Sequence, residues 1–283
     1  MIRLSCESDI KNIVSLWIEA FGDGEDEIMF FIRNRYKPEN TVVCEENGNI
    51  VSMLFLLDGQ MCIRSIDYPS YYLYAACTSK EFRGRGIMAS LLDFAKNIAQ
   101  NRGYRFICLK PAEQSLFDFY KKHGYKSVFT QKLLTVYKTD IIKPVDIFEF
   151  TAQNNLAALR NNAYKNYDYF KWDNSAVDFA INYAALYSGK TFISREGYML
   201  YTADESTINV KEITFTQQKL IDILSNVILA NNAEKIYVVL PEKFITTVGS
   251  YEIVPSGMIL PLDDTAKHLT DTLSGAYLGL TLD

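Results

Sequence analysis

The feature that most constrains this chain is a short run rich in glycine and arginine, Glu81-Phe82-Arg83-Gly84-Arg85-Gly86-Ile87-Met88. The apolar stretch Tyr71-Tyr72-Leu73-Tyr74-Ala75-Ala76-Cys77 precedes it, and Ala89-Ser90-Leu91-Leu92-Asp93-Phe94-Ala95-Lys96-Asn97-Ile98 follows. The first stretch reads as a strand. The last reads as an amphipathic helix, with Ile87, Leu91, Ala95 and Ile98 at helical spacing. A turn in that setting aims several backbone N–H groups and the positive end of a helix at one point, and the group that fits there is a phosphate or pyrophosphate. Gly84 and Gly86 let the backbone approach an anion without a Cβ in the way. Arg83 and Arg85 add charge-assisted donors. Two blander readings compete. One is an exposed basic turn that only starts a helix. The other is an RNA-binding Arg-Gly box, but such boxes repeat and this one does not.

The neighbours narrow the choice. Residues 105–109 form a short buried-strand pattern, and Ser115-Leu116-Phe117-Asp118-Phe119-Tyr120-Lys121-Lys122-His123-Gly124-Tyr125 reads as a short helix closed by a C-cap glycine. This order resembles the GNAT family of acyl-coenzyme A-dependent N-acyltransferases over roughly the first half of the chain, with residues 78–125 the specific part. The family's turn reads Arg/Gln-x-x-Gly-x-Gly/Ala. Arg83 and Gly86 match it, and Met88 departs from its last position.

The resemblance implies acetyl-coenzyme A as co-substrate and a mixed, mostly antiparallel α/β sheet flanked by helices. It places the pyrophosphate on Arg83, Gly84, Arg85, Gly86, Ile87 and Met88. It implies that the strand ending at Ala76, Cys77 and Thr78 splays at a bulge. Its free backbone groups would pair with the pantetheine arm, and one N–H would polarise the thioester carbonyl. Ser115 either hydrogen-bonds the coenzyme or caps its helix. Tyr120 occupies the family's tyrosine position and is the expected catalytic acid. Attack of an amine on a thioester expels a thiolate that needs a proton, and thiol and phenol have reference pKa values of about 8.5 and 10. The competing reading is a packing tyrosine, in a chain with 19 of them.

Bulk properties bound the rest. A chain of 283 residues is long for one compact domain and comfortable for two. Its 29 basic and 34 acidic residues leave a net charge of -5, which argues against a nucleic-acid or anionic-membrane surface and suits a cationic substrate. None of the five cysteines, Cys6, Cys44, Cys62, Cys77 and Cys108, forms a Cys-x-x-Cys pair, and all sit in or beside apolar runs, as expected of reduced, buried thiols in a cytoplasmic protein. With two histidines, a His-rich metal site is not expected. Neither a signal-peptide pattern nor an apolar run of membrane-spanning length occurs.

Along the chain, Ser8 can cap a first helix carrying Ile10, Ile13, Val14, Trp17 and Phe21. Residues 41–44 and 50–57 flank Glu46-Asn47-Gly48-Asn49, a hairpin with the favoured Asn-Gly turn. A boundary at residues 138–144 predicts an acetyltransferase domain over 1–140 and a second domain over 141–283. The second half restarts at Asn155 with Leu156, Leu159 and Ala163 on one helical face. Strands over 191–201, 207–215 and 235–240 and a helix over 217–229 then loosely echo the first half. Phe215-Thr216-Gln217 stands where a glycine-rich turn would be, so this half reads as a degenerate GNAT-like domain that binds no second coenzyme.

Tyr277-Leu278-Gly279-Leu280-Thr281-Leu282-Asp283 alternates with period two and predicts a half-buried strand running to Asp283. The two-domain layout is similar to the enhanced intracellular survival acetyltransferases, without their third, sterol-carrier-like domain. Those proteins use a chain-terminal carboxylate in the active site, so the resemblance carries a catalytic role to Asp283. Other candidates for the base are Glu113 and the acids of Asp23-Gly24-Glu25-Asp26-Glu27, where Asp26 and Glu27 are expected at the acceptor site. Acids there would attract a cationic amine, or would simply favour a helix N-terminus. The expected activity is direct acetyl transfer from acetyl-coenzyme A to a primary amine through a ternary complex. The alternatives are a non-catalytic acyl-coenzyme A-binding or regulatory module and an aminoacyl or peptidyl transferase.

Overall fold

The computed structural model describes residues 1–140 and 155–282. Along the chain the first elements are β1 (Ile2–Leu4), α1 (Ile10–Phe21), α2 (Glu25–Arg35), β2 (Thr41–Glu46), β3 (Asn49–Ile63) and β4 (Ile66–Thr78). Then come α3 (Ile87–Asn101), β5 (Phe106–Leu109), α4 (Gln114–Lys122) and β6 (Lys126–Tyr137). The second half holds α5 (Leu156–Tyr164), β7 (Tyr169–Lys171), α6 (Asn174–Leu186), β8 (Lys190–Ile193), β9 (Tyr198–Asp204) and β10 (Thr207–Ile213). It ends with α7 (Gln217–Ala230), β11 (Lys235–Pro241), β12 (Ser250–Pro261) and α8 (Asp264–Thr272).

The chain forms two compact units that interleave in sequence. The first takes Met1–Gln60, Tyr68–Ser127 and Met258–Thr272, and the second takes Met61–Asp67, Val128–Gly257 and Leu273–Asp283. The packing therefore does not divide at residue 140. The strand after β5 in the chain, β6, is counted with the second unit from Val128 onward, and the last four residues of β12 are counted with the first.

In the first unit β1, β2 and β3 run antiparallel, with Asn47 (φ +52) and Gly48 (φ +78) making the expected tight turn. Next in order come β4 and β5, which pair in parallel from Ser70↔Phe106 to Tyr72↔Cys108. Met258–Pro261 of β12 then pairs antiparallel with β5. α3 packs Leu91, Leu92, Ala95 and Ala99 into a core with Leu54, Leu56, Leu73, Ile107 and Leu109. At the start of α1 the N-cap is Asp9, at the end of a 3-10 turn, and not Ser8. Asp9 is tied there by two bonds from the Arg3 guanidinium, at 2.6 and 2.9 Å.

The sheet of the second unit has the order β6-β11-β10-β9-β8. β10 and β11 are parallel, and the other neighbours are antiparallel. α7 buries Leu220, Ile223, Leu224, Val227 and Ile228 against Leu134, Val136, Ile208, Val210, Ile236 and Val238. α5 starts at Asn155, whose side chain accepts the Ala158 N–H. Its buried residues are Leu156, Ala157, Arg160 and Tyr164, so the face is rotated from the expected Leu156/Leu159/Ala163 stripe. The C-terminal segment is not a strand. It makes isolated bridges, Phe129↔Ala276 and Tyr169↔Tyr277, and then buries Leu278 and Leu280.

Candidate active site

The site is built on the end of β4, the turn after it, and the helices α3 and α4. Within β4, Ala75 adopts a left-handed backbone at φ +46, a conformation that side chains other than glycine rarely take. The break falls three residues beyond the last pairing with β5, at Tyr72. It redirects Ala76, Cys77 and Thr78, the segment expected to splay. The far end is then pinned to β3. Ser52, fully buried, donates its hydroxyl to the Cys77 carbonyl at 2.8 Å and lies 2.9 Å from the Thr78 hydroxyl. The Ser79 N–H donates to the Val51 carbonyl at 2.9 Å.

From Thr78 the chain enters a 3-10 turn (Lys80–Phe82) and then the glycine pair. Gly84 (φ +77) and Gly86 (φ +75) are both left-handed, and a Cβ on either would meet no atom within 4 Å. Glycine is needed there for backbone conformation, and the space beside it is open. The amides from Gly84 through Ala89 find no acceptor among the described residues. The first amide of α3 bonded back into the turn is that of Ser90, to the Gly86 carbonyl. No acid occupies the first turn of α3. Arg83 donates Nε–H to the Thr78 carbonyl at 3.0 Å, which leaves the outer nitrogens of its guanidinium for a ligand. Arg85 donates to the Glu81 carbonyl at 2.8 Å and stacks on Phe82. This row of unpaired donors, flanked by two exposed guanidiniums, fits a pyrophosphate.

Ile87 and Met88 are half-buried and pack, with Ala76, against the apolar cluster that contains Tyr120. Tyr120 sits in the last turn of α4, edge-on to Phe119 and Tyr125, with ring centroids at 5.3 and 5.4 Å. Burial pushes its phenol up to about 12, so it is fully protonated at neutral pH. Ser115 neither caps α4 nor turns inward; it is exposed and donates to the Glu113 carboxylate at 3.2 Å. His123 is the C-cap of α4 and packs on Phe119.

The acids of the α1–α2 loop are divided among tasks. Asp23 accepts the Trp17 indole N–H at 2.8 Å. The Glu27 carboxylate folds back over Gly24, where a Cβ would stand 2.2 Å from its Oε2. Asp26 is exposed in the first turn of α2. Asp283 lies outside the described residues. Sequence reasoning missed two neighbours of the site. One is Ser52. The other is Glu19, which accepts the Lys80 N–H at 2.8 Å and raises the Cys77 thiol by its charge. Burial, the larger cause, takes Cys77 up to about 12, and burial also holds Cys108 well above its usual value. Among the described residues no group of three His, Cys, Asp or Glu side chains is placed to hold a metal, and no helix is long and apolar enough to cross a membrane.

Comparison with known proteins agrees with this geometry. The family model described as "Acetyltransferase (GNAT) domain" matches residues 1–128. No curated protein sequence matches the chain. Its fold is similar to that of a GCN5-related N-acetyltransferase from Anabaena variabilis, at 11% identity and a TM-score of 0.75, covering 94% of this chain and 74% of that one. It is similar to a GCN5-related N-acetyltransferase from Kribbella flavida, at 14% identity and a TM-score of 0.72, with 94% and 73% covered. Eis1 from Mycobacterium abscessus aligns at 12% identity and a TM-score of 0.69, with 93% and 74% covered. These likenesses extend the shared fold over both units. The chain is thus an acyltransferase whose residues 1–128 belong to the GNAT acetyltransferase family, with acetyl-coenzyme A as the acyl donor.

Proposed function

We propose that this protein moves the acetyl group of acetyl-coenzyme A directly to a primary, cationic amine in a ternary complex. The observation that carries the reading is the unbroken row of unpaired amides from Gly84 to Ala89, opened by two left-handed glycines and flanked by Arg83 and Arg85. In this reading the row, with Ile87 and Met88 at its helical end, holds the pyrophosphate. Ala76, Cys77 and Thr78 carry the pantetheine arm, and one of their N–H groups polarises the thioester carbonyl. Ser115 stands at the edge of the coenzyme site. The amine nitrogen attacks the carbonyl carbon, the C–S bond breaks, and the coenzyme thiolate takes the Tyr120 proton. A covalent acyl-cysteine route is disfavoured, because burial keeps Cys77 and Cys108 as thiols.

An alkylammonium has a pKa of about 10 and must lose a proton before attack. The Asp283 carboxylate is the proposed base. Asp26 and Glu27 form the proposed cation-attracting edge of the acceptor site, supported by their place in the first turn of α2. Cys6 is exposed, against the expectation of five buried thiols, while the buried, unpaired state of Cys44, Cys62, Cys77 and Cys108 supports a cytoplasmic setting for this chemistry.

The test is calorimetric titration with acetyl-coenzyme A, followed by thiol release with polyamines, aminoglycosides and peptide amines. Micromolar binding that an Arg83→Ala/Gly86→Glu protein loses is the expected result. A folded protein that binds no acetyl-coenzyme A overturns the reading. Tyr120→Phe separates a catalyst from a binding module, since only a catalyst loses rate while keeping its affinity.

A further inference from the structure

Trp17, on α1, buries its ring in the first unit and leaves one polar atom to satisfy. The residue is 1% exposed, with ring centroids 5.0 Å from Phe31, 5.4 Å from Phe55 and 5.7 Å from Tyr74. Its indole N–H donates to Asp23 Oδ2 at 2.8 Å. Asp23 lies in the connection between α1 and α2, after the left-handed Gly22 that closes α1 and before Gly24, the N-cap of α2. It is half-buried, and it is the acid of this loop tied to a buried donor, since Asp26 is exposed and Glu27 folds over Gly24. Among the described residues no other donor and no cation meets the Asp23 carboxylate. The buried Arg160–Glu212 pair of the second unit shows the opposite arrangement. There each charge meets its opposite inside the protein, Nε to Oε1 at 2.7 Å, with no exposed surface on either side chain. Asp23 is held as firmly by one oxygen, but its charge is left open.

The place of this carboxylate follows from the break in β4. Tyr71 and Leu73 face the core that holds α3 and Tyr120. Tyr74 faces the other way, toward α1 and α2, with its ring 5.3 Å from Phe31. The left-handed residue Ala75 then returns Ala76 to the Tyr120 side, where simple alternation would have set it beside Tyr74. Tyr74 is therefore the last ring on the α1–α2 side before the segment assigned to the thioester. It is half-buried, and Phe21, 46% exposed and edge-on to Trp17 at 6.0 Å, continues the aromatic surface outward. One rigid indole thus joins the Asp23 carboxylate to the Tyr74 ring. A carboxylate fixed on an aromatic wall suits a cation with an apolar body. The ammonium gains a charge-assisted hydrogen bond and the ring faces, and the body gains apolar contact. A hydroxyl-rich cation would lose water against these rings and find no hydrogen bonds in exchange.

We infer that Asp23 is the ammonium anchor of the acceptor site, that Trp17 is its positioning residue, and that the acceptor is an arylalkylamine, a primary amine on a short chain carrying an aromatic ring. The inference rests on the proposed acetyl transfer to an amine and stands on contacts within the first unit. Asp23 and Tyr120 then serve opposite sides of β4, one holding the nucleophile and the other protonating the departing thiolate.

The test is Asp23→Asn. The asparagine carbonyl can still accept the Trp17 N–H, so the variant removes the charge and keeps the tether. Acetyl-coenzyme A is titrated first. Amines are then titrated calorimetrically into protein saturated with coenzyme A, where no turnover occurs. The probes are 2-phenylethylamine, spermidine, kanamycin and O-benzylhydroxylamine, which resembles 2-phenylethylamine in shape and is uncharged at neutral pH. The native protein should bind 2-phenylethylamine at least tenfold more tightly than kanamycin or spermidine. Asp23→Asn should weaken 2-phenylethylamine about 10- to 100-fold, the loss expected for a hydrogen bond to a charged group. It should change O-benzylhydroxylamine by less than about twofold and leave acetyl-coenzyme A binding and Tm unchanged. Tyr74→Leu keeps an apolar contact but removes the ring, and should weaken 2-phenylethylamine about three- to fivefold. Should Asp23→Asn fail to fold, Trp17→Phe keeps the charge and removes the tether, and should weaken 2-phenylethylamine more than O-benzylhydroxylamine. Equal effects on the charged and uncharged probes, or none on either, overturn the anchor. Tighter binding of kanamycin or spermidine by the native protein overturns the acceptor class. A protein that binds acetyl-coenzyme A but no amine refutes this inference and leaves the coenzyme site standing, whereas one that binds no acetyl-coenzyme A removes the acetyl-transfer reading itself.

Discussion

Each unit contains the same parallel crossover, yet the two treat their helix N-termini in opposite ways. In the first, β4 and β5 run parallel with α3 between them; in the second, β10 and β11 run parallel with α7 between them. Residues 79–86 separate strand from helix in the first crossover, and residues 214–216 do so in the second. The short connection is filled. Phe215 is buried, and the Thr214 hydroxyl bonds the Tyr198 N–H and carbonyl at 2.7 and 3.2 Å. The Thr216 carbonyl takes the amides of Lys219 and Leu220. Every α-helix has unpaired amides at its start. A ligand site also needs a loop long enough to leave further amides unpaired, and left-handed residues that turn them the same way. Gly84 and Gly86 meet both needs, and Phe215-Thr216-Gln217 meets neither.

The sharpest way to break that contrast is to place a negative side chain on each turn. Arg83→Ala/Gly86→Glu should weaken acetyl-coenzyme A binding at least 1000-fold, about 4 kcal/mol, since it removes a guanidinium, strains a left-handed position and opposes an anion with a carboxylate. Thr216→Glu in the second crossover should leave the titration unchanged. Equal loss from both would mean that coenzyme binding does not reside in the first turn.

Tyr120→Phe should lower kcat about 100- to 1000-fold with the coenzyme dissociation constant unchanged. Because burial raises Tyr120 to about 12, its protonated, donating form persists well above the usual tyrosine range. The rate in the wild-type protein should therefore show no alkaline decline from this group below about pH 11. A decline centred near pH 10 that disappears in Tyr120→Phe would show the phenol to be solvated during turnover.

The contrast between the crossovers was readable in the sequence, because glycine leaves a trace there and periodicity marks the helix behind it. The Asn47-Gly48 turn and the apolar face of α7 were readable for the same reasons. What was hidden depends on backbone geometry or on partners distant in the chain. Alanine at position 75 gives no hint of a positive φ. Ser52 lies inside the apolar run of β3, where a hydroxyl looks incidental until its acceptor on β4 is known. The division of β6 and β12 between the compact units has no local signal, because it depends on pairing with strands distant in the chain. One signal was present and unread. Ile208, Val210 and Glu212 share a parity along β10, and Leu156, Arg160 and Tyr164 share a face of α5. Two charges on inward positions announce a buried pair. The period-two run at the C-terminus did predict burial of Leu278 and Leu280 but not its cause, since the segment is held by Glu212, Asp168 and Val128 rather than by a ladder.

Gly84→Ala should cost the first turn about tenfold in coenzyme affinity. The open space around Gly84 admits a methyl group, so the loss comes from about 1–2 kcal/mol of left-handed strain rather than from a clash. Full affinity in this variant would show that the turn finds another path to the same donors.

The smallest expected effect tests whether the end of β4 is held rather than merely present. Ser52→Ala removes one buried hydroxyl and leaves the Cys77 carbonyl without that donor, a change worth about 1–2 kcal/mol. The Thr78 hydroxyl loses its neighbour, while its carbonyl keeps the bond from Arg83. The turn and its amides should therefore stay in place, and the dissociation constant for acetyl-coenzyme A should change by less than about threefold. The strand that presents the thioester would be looser, so kcat should fall about tenfold. Ser52→Thr, which restores the hydroxyl in a tighter space, should recover part of that rate. If Ser52→Ala instead weakens binding and leaves kcat intact, the end of β4 contributes to holding the coenzyme and not to aligning its reactive carbon. The division of labour between turn and strand would then be wrong, even though the contrast between the two crossovers would survive.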